Sequence, residues 1–206
     1  MSPRPSRKLI AILRGITPDE AESVSEMLVE KGFDWIEVPL NSPNAFDSIE
    51  RMAKHLGERA HIGAGTVLNE DDIIRIKEAG GTFIVSPNFD IDVVQQTKKL
   101  NMGSYPGVLT PSECFAALKA GADALKLFPA TAIGGVNIQA MRAVLPEATD
   151  LYAVGGCNPE NLGEWLSYGV DGFGIGSALY KPGKSVAEIA KSAEAFVEAF
   201  DKHVSA

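Results

Sequence analysis

The chain has 206 residues, of which 45% are hydrophobic and 22% are charged, and its formal net charge is −8. This length is enough for one sizeable hydrophobic core, and the composition is that of an ordinary globular protein. The acidic balance argues against a nucleic-acid surface, which needs clustered lysine and arginine, and means that an anionic ligand must be held by local donors.

Eight short apolar runs alternate with longer amphipathic stretches, and each run predicts a buried strand that a helix follows. The runs are Leu9–Leu13, Trp35–Leu40, Ile62–Leu68, Phe83–Pro87, Met102–Leu109, Ala124–Pro129, Leu151–Gly156 and Gly172–Ile175. Eight strand–helix units of about 25 residues predict an α/β fold, a single-domain (β/α)8 TIM barrel over residues 1–206. A doubly wound open sheet is the structural alternative, although the count of eight favours closure.

Caps and glycines mark the predicted helix boundaries. Residues 17–20 (Thr-Pro-Asp-Glu) and 110–113 (Thr-Pro-Ser-Glu) each predict a helix start with a capping residue, a proline and an early acid. Residues 158–161 (Asn-Pro-Glu-Asn) predict a third helix that Asn158 caps. The glycines expected to end helices are Gly32, Gly57, Gly80, Gly121 and Gly169.

Arg14 directly follows the first predicted strand, and barrel enzymes carry their active sites at the C-terminal ends of the strands. Its planar guanidinium suits a carboxylate, and a surface arginine on the barrel rim is the alternative. Residues 62–66 (Ile-Gly-Ala-Gly-Thr) lack the spacing of a phosphate loop. We expect this strand to let a ligand approach closely, with the hydroxyl of Thr66 available to it.

Lys126 lies inside the apolar run Ala124–Pro129, which predicts a strand buried on both faces. Burying an ammonium group is costly, so the expected outcome is a lowered pKa that leaves the amine neutral. A neutral amine attacks ketones and forms a Schiff base. The structural alternative is a lysine on an edge strand, or one whose amine reaches solvent.

A weak internal repeat pairs Lys126 with an acidic residue. Residues 32–37, 121–126 and 169–174 follow one pattern, so Glu37 and Lys126 occupy equivalent positions in two strands. If one side chain points into the barrel, the other should as well. Glu37 is therefore a candidate general acid/base with a raised pKa. A structural ion pair with Lys126 or Arg14 is the alternative, and the two interpretations are compatible.

Two late glycine-rich segments predict a phosphate site. Residues 154–156 (Val-Gly-Gly) end the seventh predicted strand before the helix that Asn158 is expected to cap. Residues 174–177 (Gly-Ile-Gly-Ser) end the eighth, and we expect them to open a short helix. Exposed backbone N–H groups at helix N-termini bind phosphate, and barrels often use these two loops for it. Two tight turns without a ligand are the alternative.

The cysteines and histidines predict no further catalytic or metal site, and the hydropathy predicts no membrane segment. Two cysteines without a CxxC spacing predict no disulfide framework, and three scattered histidines form no metal motif. Cys157 has no adjacent histidine base, so it is not predicted to be a nucleophile. No apolar run has the length of a secretory signal or a transmembrane helix, so we expect a cytoplasmic protein that binds neither nucleic acid nor membrane.

These segments occur in order over nearly the whole chain, and together they resemble the class I 2-keto-3-deoxy-6-phosphogluconate/6-phosphogalactonate aldolases. The resemblance implies a Schiff-base lysine at Lys126 and a proton shuttle at Glu37. It implies that Arg14 and Thr66 hold the pyruvyl carboxylate region, and that Gly155, Gly156, Gly176 and Ser177 bind phosphate. It further implies a homotrimer and a reaction that needs no metal or organic cofactor.

The choice between the two substrates of this family depends on fewer residues. The gluconate enzymes typically carry threonine before the paired glycines, where this chain has Val154, and residues 38–43 resemble the galactonate enzymes. The substrates are epimers at C4, and a threonine hydroxyl can hydrogen-bond one epimer whereas valine cannot. We therefore expect Val154 to contact the substrate and the galactonate epimer to be preferred. The alternatives are the gluconate epimer, a phosphosugar isomerase or epimerase on the same barrel, and a non-catalytic phosphate-binding module.

Overall fold

Parallel strands and helices alternate along residues 6–204, the part of the chain that this computed structural model describes; residues 1–5 and 205–206 of the predicted domain lie outside it. The strands are β1 (Leu9–Ile12), β2 (Trp35–Pro39), β3 (His61–Gly65), β4 (Phe83–Val85), β5 (Gly103–Tyr105), β6 (Gly107–Val108), β7 (Ala124–Leu127), β8 (Asp150–Val154) and β9 (Gly172–Ile175). The helices are α1 (Pro18–Glu30), α2 (Ala45–Leu56), α3 (Glu70–Glu78), α4 (Ile91–Lys99), α5 (Pro111–Ala120), α6 (Ala130–Ile133), α7 (Gly135–Arg142), α8 (Leu162–Ser167) and α9 (Val186–Val204).

The nine strands form one parallel sheet in the order β5-β4-β3-β2-β1-β9-β8-β7-β6. The first and last strands of this order, β5 and β6, are the two halves of the fifth predicted strand, which Pro106 divides. The carbonyl oxygen of Pro106 accepts a hydrogen bond from the Lys126 N–H at 2.9 Å, and that of Ser104 accepts one from the Asp123 N–H at 3.0 Å. These bonds join the two ends of the sheet. The predicted single-domain barrel is confirmed, and the open-sheet alternative is wrong.

Helix starts follow the predicted caps at two of three places. Thr17 with Glu20 and Thr110 with Glu113 form capping boxes at the starts of α1 and α5. All five glycines expected to end helices have positive φ: Gly32 (94°), Gly57 (56°), Gly80 (88°), Gly121 (103°) and Gly169 (88°).

The glycine-rich loops after β8 and β9 differ from the prediction. Asn158 does not cap α8, whose N-cap is Asn161. Each of these asparagines accepts a hydrogen bond from the other's backbone N–H, at 2.9 and 3.0 Å, because short amide side chains compete with the first helical turn. Residues 174–177 likewise open a turn and no helix, with the carbonyl oxygen of Gly176 accepting hydrogen bonds from the N–H groups of residues 179 and 180.

The internal repeat has a structural cause as well. Asp123 Oδ2 accepts a hydrogen bond from the Ser104 N–H, and Asp171 Oδ2 accepts one from the Leu151 N–H, both at 2.8 Å. In each case, the residue before a strand caps the first amides of the neighbouring strand. The repeated Gly-x-Asp pattern therefore fixes how these neighbouring strands begin.

Two apolar layers separate along the strands. Alternate side chains face the helices in the larger core, and the others fill the barrel with a buried, largely aromatic cluster of Ile10, Trp35, Phe83, Val85, Tyr105, Ala124 and Tyr152. Ring centroids lie 4.5 Å apart for Trp35 and Phe83 and 5.6 Å apart for Tyr105 and Tyr152. Trp35 and Phe83 begin their strands, so their rings fill the N-terminal half of the barrel. The C-terminal half of the barrel is therefore available to polar side chains.

Candidate active site

Glu37 and Lys126 face each other across the C-terminal half of the barrel. Each is the third residue of its strand, β2 or β7, and their side chains are 2% and 6% exposed. They share a small inner cavity, whose other lining residues are Ile10, Ile12, Val85, Tyr105, Tyr152, Val154 and Gly174. The prediction that both side chains point inward is confirmed. Because β7 lies between β6 and β8 and Lys126 is buried, the alternatives of an edge-strand or solvent-reaching lysine are wrong.

Glycines in β3 make room for the inner side chains. A Cβ atom on Gly65 would lie 1.6 Å from Glu37 Oε2, and one on Gly63 would lie 2.6 Å from the Phe83 ring. Gly65 makes the position of the Glu37 carboxylate possible, and Gly63 that of the Phe83 ring. The expected approach of a ligand to this strand stays a prediction.

Burial shifts the pKa values of both ionisable groups of the inner cavity so that their uncharged forms are favoured. It raises the pKa of Glu37 to about 7, against the opposing charges of Lys126 and Arg14. Burial also lowers the pKa of Lys126; the Glu37 carboxylate opposes this shift and the Arg14 charge reinforces it. Glu37 Oε2 is buried without a hydrogen-bond partner, which argues against a tight structural ion pair. The pair is suited to proton transfer and to nucleophilic attack near neutral pH.

Arg14 and Thr66 meet at the C-terminal rim of the barrel. Arg14 Nη1 donates a hydrogen bond to Asn41 Oδ1 at 2.5 Å and lies 3.4 Å from Thr66 Oγ1. The Gly15 N–H donates to the buried Ser42 Oγ at 2.8 Å. The loops after β1, β2 and β3 are thus tied together around one guanidinium. Asn41 has no predicted role, although a polar residue two positions after a barrel strand is a usable signal.

A larger cavity of about 340 Å³, here called the mouth cavity, opens above the inner one. Of the predicted site residues it is lined by Arg14, Val154, Gly155, Gly156, Gly176 and Ser177. Its other lining residues include Phe128, Cys157, Tyr180, Lys181 and Pro182, which sequence reasoning assigned to no site. Ile12, Val154 and Gly174 line both cavities, so the two are continuous, and Val154 stands at their junction.

The rim of the mouth cavity offers unused backbone donors. Among the described residues, none accepts a hydrogen bond from the N–H groups of residues 155–157 or 176–178. Gly155 and Gly156 have φ values of 98° and 82°, and a Cβ atom on Gly156 would lie 2.3 Å from Thr131 Cγ2. Only glycine fits this second position without strain. The loops therefore suit an anion, although neither donor run begins a helix as expected.

Neither cysteine has the properties of a nucleophile. Burial raises the pKa of Cys157 to about 12 and that of Cys114 to about 11, so both thiols stay protonated at neutral pH. Within residues 6–204, no group of three or more His, Cys, Asp or Glu side chains could hold a metal ion. None of the helices in the described part of the chain is long and apolar enough to cross a membrane.

Known proteins resemble the chain in both sequence and structure. Residues 4–195 match the family described as "Aldolase: KDPG and KHG aldolase". The chain is 45% identical over 196 residues to the 2-dehydro-3-deoxy-6-phosphogalactonate aldolase of Escherichia coli strain K12, covering 95% of this chain and 96% of that protein. It is 32% identical over 147 residues to a 2-dehydro-3-deoxy-phosphogluconate aldolase of Zymomonas mobilis, covering 71% and 70%. A solved structure described as native KDPGal matches with a TM-score of 0.97, 44% identity and full coverage of both chains.

Proposed function

The chain belongs to the KDPG and KHG aldolase family, and from this premise we propose that it cleaves 2-dehydro-3-deoxy-6-phosphogalactonate to pyruvate and D-glyceraldehyde 3-phosphate. It is an aldolase, a carbon–carbon lyase, which sets aside an isomerase, an epimerase or a non-catalytic module. The observation that carries the mechanism is the buried pair Glu37 and Lys126, with pKa values shifted toward neutrality, below a cavity rimmed with free N–H groups.

Binding places the two charged ends of the substrate at the barrel mouth. Arg14 and Thr66 hold the pyruvyl carboxylate region, and the N–H groups of residues 155–157 and 176–178 receive the phosphate. The carbon chain between them then reaches down past Val154 into the inner cavity. This arrangement supports the roles of Gly155, Gly156, Gly176 and Ser177 in phosphate binding.

The reaction follows from the two buried groups. The neutral amine of Lys126 attacks the C2 ketone, and loss of water gives an iminium ion that accepts electrons from the breaking bond. Glu37 takes the proton of the C4 hydroxyl, directly or through a water, and the C3–C4 bond breaks to release glyceraldehyde 3-phosphate. Glu37 returns a proton to the enamine, and hydrolysis of the resulting iminium frees pyruvate and the lysine. No metal or organic cofactor enters these steps.

Preference for the galactonate epimer is assigned to Val154. Its side chain lies between the two cavities, and Gly174 leaves room for it, because a Cβ atom there would come within 2.8 Å of Val154 Cγ2. Valine offers no hydrogen bond to a C4 hydroxyl, and this favours the epimer that needs none. The higher identity to the galactonate enzyme than to the gluconate enzyme supports the same choice. The gluconate epimer is the second candidate substrate.

We further propose that the active form is a homotrimer. An apolar groove of about 620 Å³ runs between α5 and α7, lined by Leu109, Pro111, Ile133, Met141 and Val144 among others. Leu109 and Val144 are 45% and 59% exposed, and apolar surface of this kind supports contact with further copies of the chain. Light scattering should give three times the chain mass; a monomer at micromolar concentration would contradict the trimer.

The proposed substrate also bears on where the enzyme works. It carries a carboxylate and a phosphate, and charged groups of this kind do not cross a lipid bilayer unaided. We therefore infer that the enzyme acts in the cytoplasm on a small-molecule partner.

An assay of pyruvate release from both C4 epimers, with EDTA present, tests the proposed function. We expect release from the galactonate epimer at a higher kcat/KM than from the gluconate epimer, and no effect of EDTA. Release from neither epimer would contradict the aldolase assignment to this substrate class. A preference for the gluconate epimer would contradict the role of Val154 alone.

A further inference from the structure

The mouth cavity carries charge of one sign. Arg14 and Lys181 are the charged residues among the described side chains that line it, and both are cationic. The whole chain has a net charge of −8, so the long-range field repels an anionic substrate. Local cations at the cavity are therefore the means by which a phosphorylated ligand gains electrostatic attraction.

The two cations are not equivalent. Arg14 is engaged by Asn41 and lies near Thr66, on the side of the barrel formed by β1 to β3. Lys181 comes from the loop after β9, next to the free N–H groups of residues 176–178. Within residues 6–204, no acidic side chain forms an ion pair with Lys181, whose side chain is exposed at the cavity. Lys181 is therefore the cation on the side of the predicted phosphate loops.

The backbone that carries Lys181 is firmly held. Leu179 and Tyr180 are 0% and 2% exposed, and their N–H groups donate to the Gly176 carbonyl oxygen at 2.9 and 3.0 Å. The neighbouring Lys184 has a different role, because its Nζ donates to the Leu179 carbonyl oxygen at 3.1 Å and ties the loop to itself.

A second contact fixes the loop against the first strand. A Cβ atom on Gly15 would lie 2.8 Å from Pro182 Cγ, so the residue after Lys181 packs directly on the residue after Arg14. The two cations are thus carried by loops that touch each other. This contact keeps Lys181 beside the mouth cavity and not away from it.

We propose that Lys181 supplies the countercharge for the substrate phosphate and so sets the preference for phosphorylated over unphosphorylated keto-deoxy acids. Backbone N–H groups orient a phosphate but carry no net charge, and a lysine ammonium adds the point charge that a dianion attracts. The inference rests on the proposed function for the identity of the substrate. The charge at the cavity stands independently of it.

The test compares three variants, two of which remove one positive charge and one of which keeps it. Lys181→Gln removes the charge while keeping a long polar side chain, and Lys181→Arg keeps the charge. Lys191→Gln, at an exposed position on α9, changes the net charge by the same amount far from the cavity. Calorimetric titration with glycerol 3-phosphate at low salt measures phosphate affinity without turnover. Pyruvate release is measured in parallel with the phosphorylated galactonate substrate and its unphosphorylated counterpart.

We expect Lys181→Gln to weaken glycerol 3-phosphate binding, and to raise KM for the phosphorylated substrate, by about 5- to 10-fold. Its kcat and its KM for the unphosphorylated substrate should not change. Lys181→Arg and Lys191→Gln should behave like the unmodified protein, and the effect of Lys181→Gln should shrink at high salt because screening weakens an exposed charge.

The outcomes distinguish the proposed role of Lys181 from the proposed aldolase function. Equal glycerol 3-phosphate affinity in Lys181→Gln and Lys191→Gln, or no binding by any form, overturns the assignment of Lys181. Loss of affinity in Lys181→Gln, with no pyruvate released by the unmodified protein, overturns the proposed function and leaves Lys181 as a phosphate-binding residue. Loss of affinity together with the split between the two substrates supports both.

Discussion

The inner cavity and the mouth cavity lie one above the other in the barrel and differ in how they affect charge: the inner one suppresses it, and the mouth leaves it available. In the inner cavity, Glu37 and Lys126 are buried, and burial brings their pKa values toward neutrality. In the mouth cavity, backbone donors at residues 155–157 and 176–178 and the cation Lys181 keep their polarity available to an anion. We therefore propose that the inner cavity prepares a nucleophile and a base, and that the mouth cavity binds the charge of the substrate.

This difference predicts different kinetic consequences in the two cavities. Substitutions in the inner cavity should lower kcat, because they remove interactions that the reaction itself needs. Substitutions at the phosphate side of the mouth cavity, in residues 155–157 and 176–178 or at Lys181, should raise KM for phosphorylated substrates and leave KM for unphosphorylated ones unchanged. The following four predictions test that division, beginning with the largest expected effect.

Lys126→Met removes the nucleophile and keeps an apolar side chain of similar length. Pyruvate release should fall by about 10³-fold or more, because no other residue in the inner cavity can form the iminium ion. Thermal unfolding should be unchanged or occur at a higher temperature, since an apolar group replaces a buried amine. Lys191→Met, on the exposed face of α9, is the matched control. Activity of Lys126→Met within tenfold of the unmodified protein would contradict the mechanism.

Glu37→Gln removes the proton acceptor with little change of shape, and kcat should fall by about 10²- to 10⁴-fold. The pKa of Glu37 is raised to about 7, so lowering the pH through 7 protonates the carboxylate and removes the base. The rate of the unmodified enzyme should therefore fall as pH falls through this range. A pH profile of kcat measures this limb, which should be absent from the variant; the same limb in both proteins would assign it to another group.

Gly156→Ala tests the mouth cavity. The added Cβ atom would lie 2.3 Å from Thr131 Cγ2, so the loop must shift and its donors move. KM for the phosphorylated substrate should rise by about tenfold, with little change for the unphosphorylated one. Gly134→Ala is the control, because Gly134 also has a positive φ of 75° but nothing lies within 4 Å of the added atom. Equal effects of the two variants would show backbone strain and not phosphate binding.

Val154→Thr addresses the junction of the two cavities and should have an effect no larger than that of Gly156→Ala. The new hydroxyl can hydrogen-bond the C4 hydroxyl of one epimer, and the ratio of kcat/KM values should shift by about tenfold toward the gluconate substrate. The assay is a comparison of both epimers with both proteins. An unchanged ratio would show that Val154 does not determine the stereochemical preference, and it would leave the mechanism intact.

The sequence predicts the inner cavity better than the mouth. Glu37 and Lys126 lie on strands, and strand alternation together with the Gly-x-Asp repeat is enough to place both side chains inside the barrel. Both patterns are periodic along the chain, so they can be recognised without knowing which strands are neighbours. The eight strands are predictable for the same reason. Pro106 in the fifth apolar run is a local signal that this run is divided into two strands.

The parts that were missed depend on contacts between distant segments. Gly65 gives room to Glu37 across a strand pair, and this could not be read from the residues around either position. Lys181 reaches the mouth cavity through a loop with no periodic pattern, held by packing against Gly15. Asn158 carries a good capping sequence, yet the reciprocal bonds with Asn161 delay the helix. Local propensity did not decide these three positions.

Covalent trapping of pyruvate is the sharpest test of the Schiff-base role proposed for Lys126. The protein is incubated with pyruvate and borohydride near neutral pH, and peptide mapping locates the modified residue. Because burial lowers the pKa of Lys126, we expect one stable adduct, on Lys126, with loss of activity in proportion to labelling. Unmodified Lys126 in protein that actively releases pyruvate would contradict it.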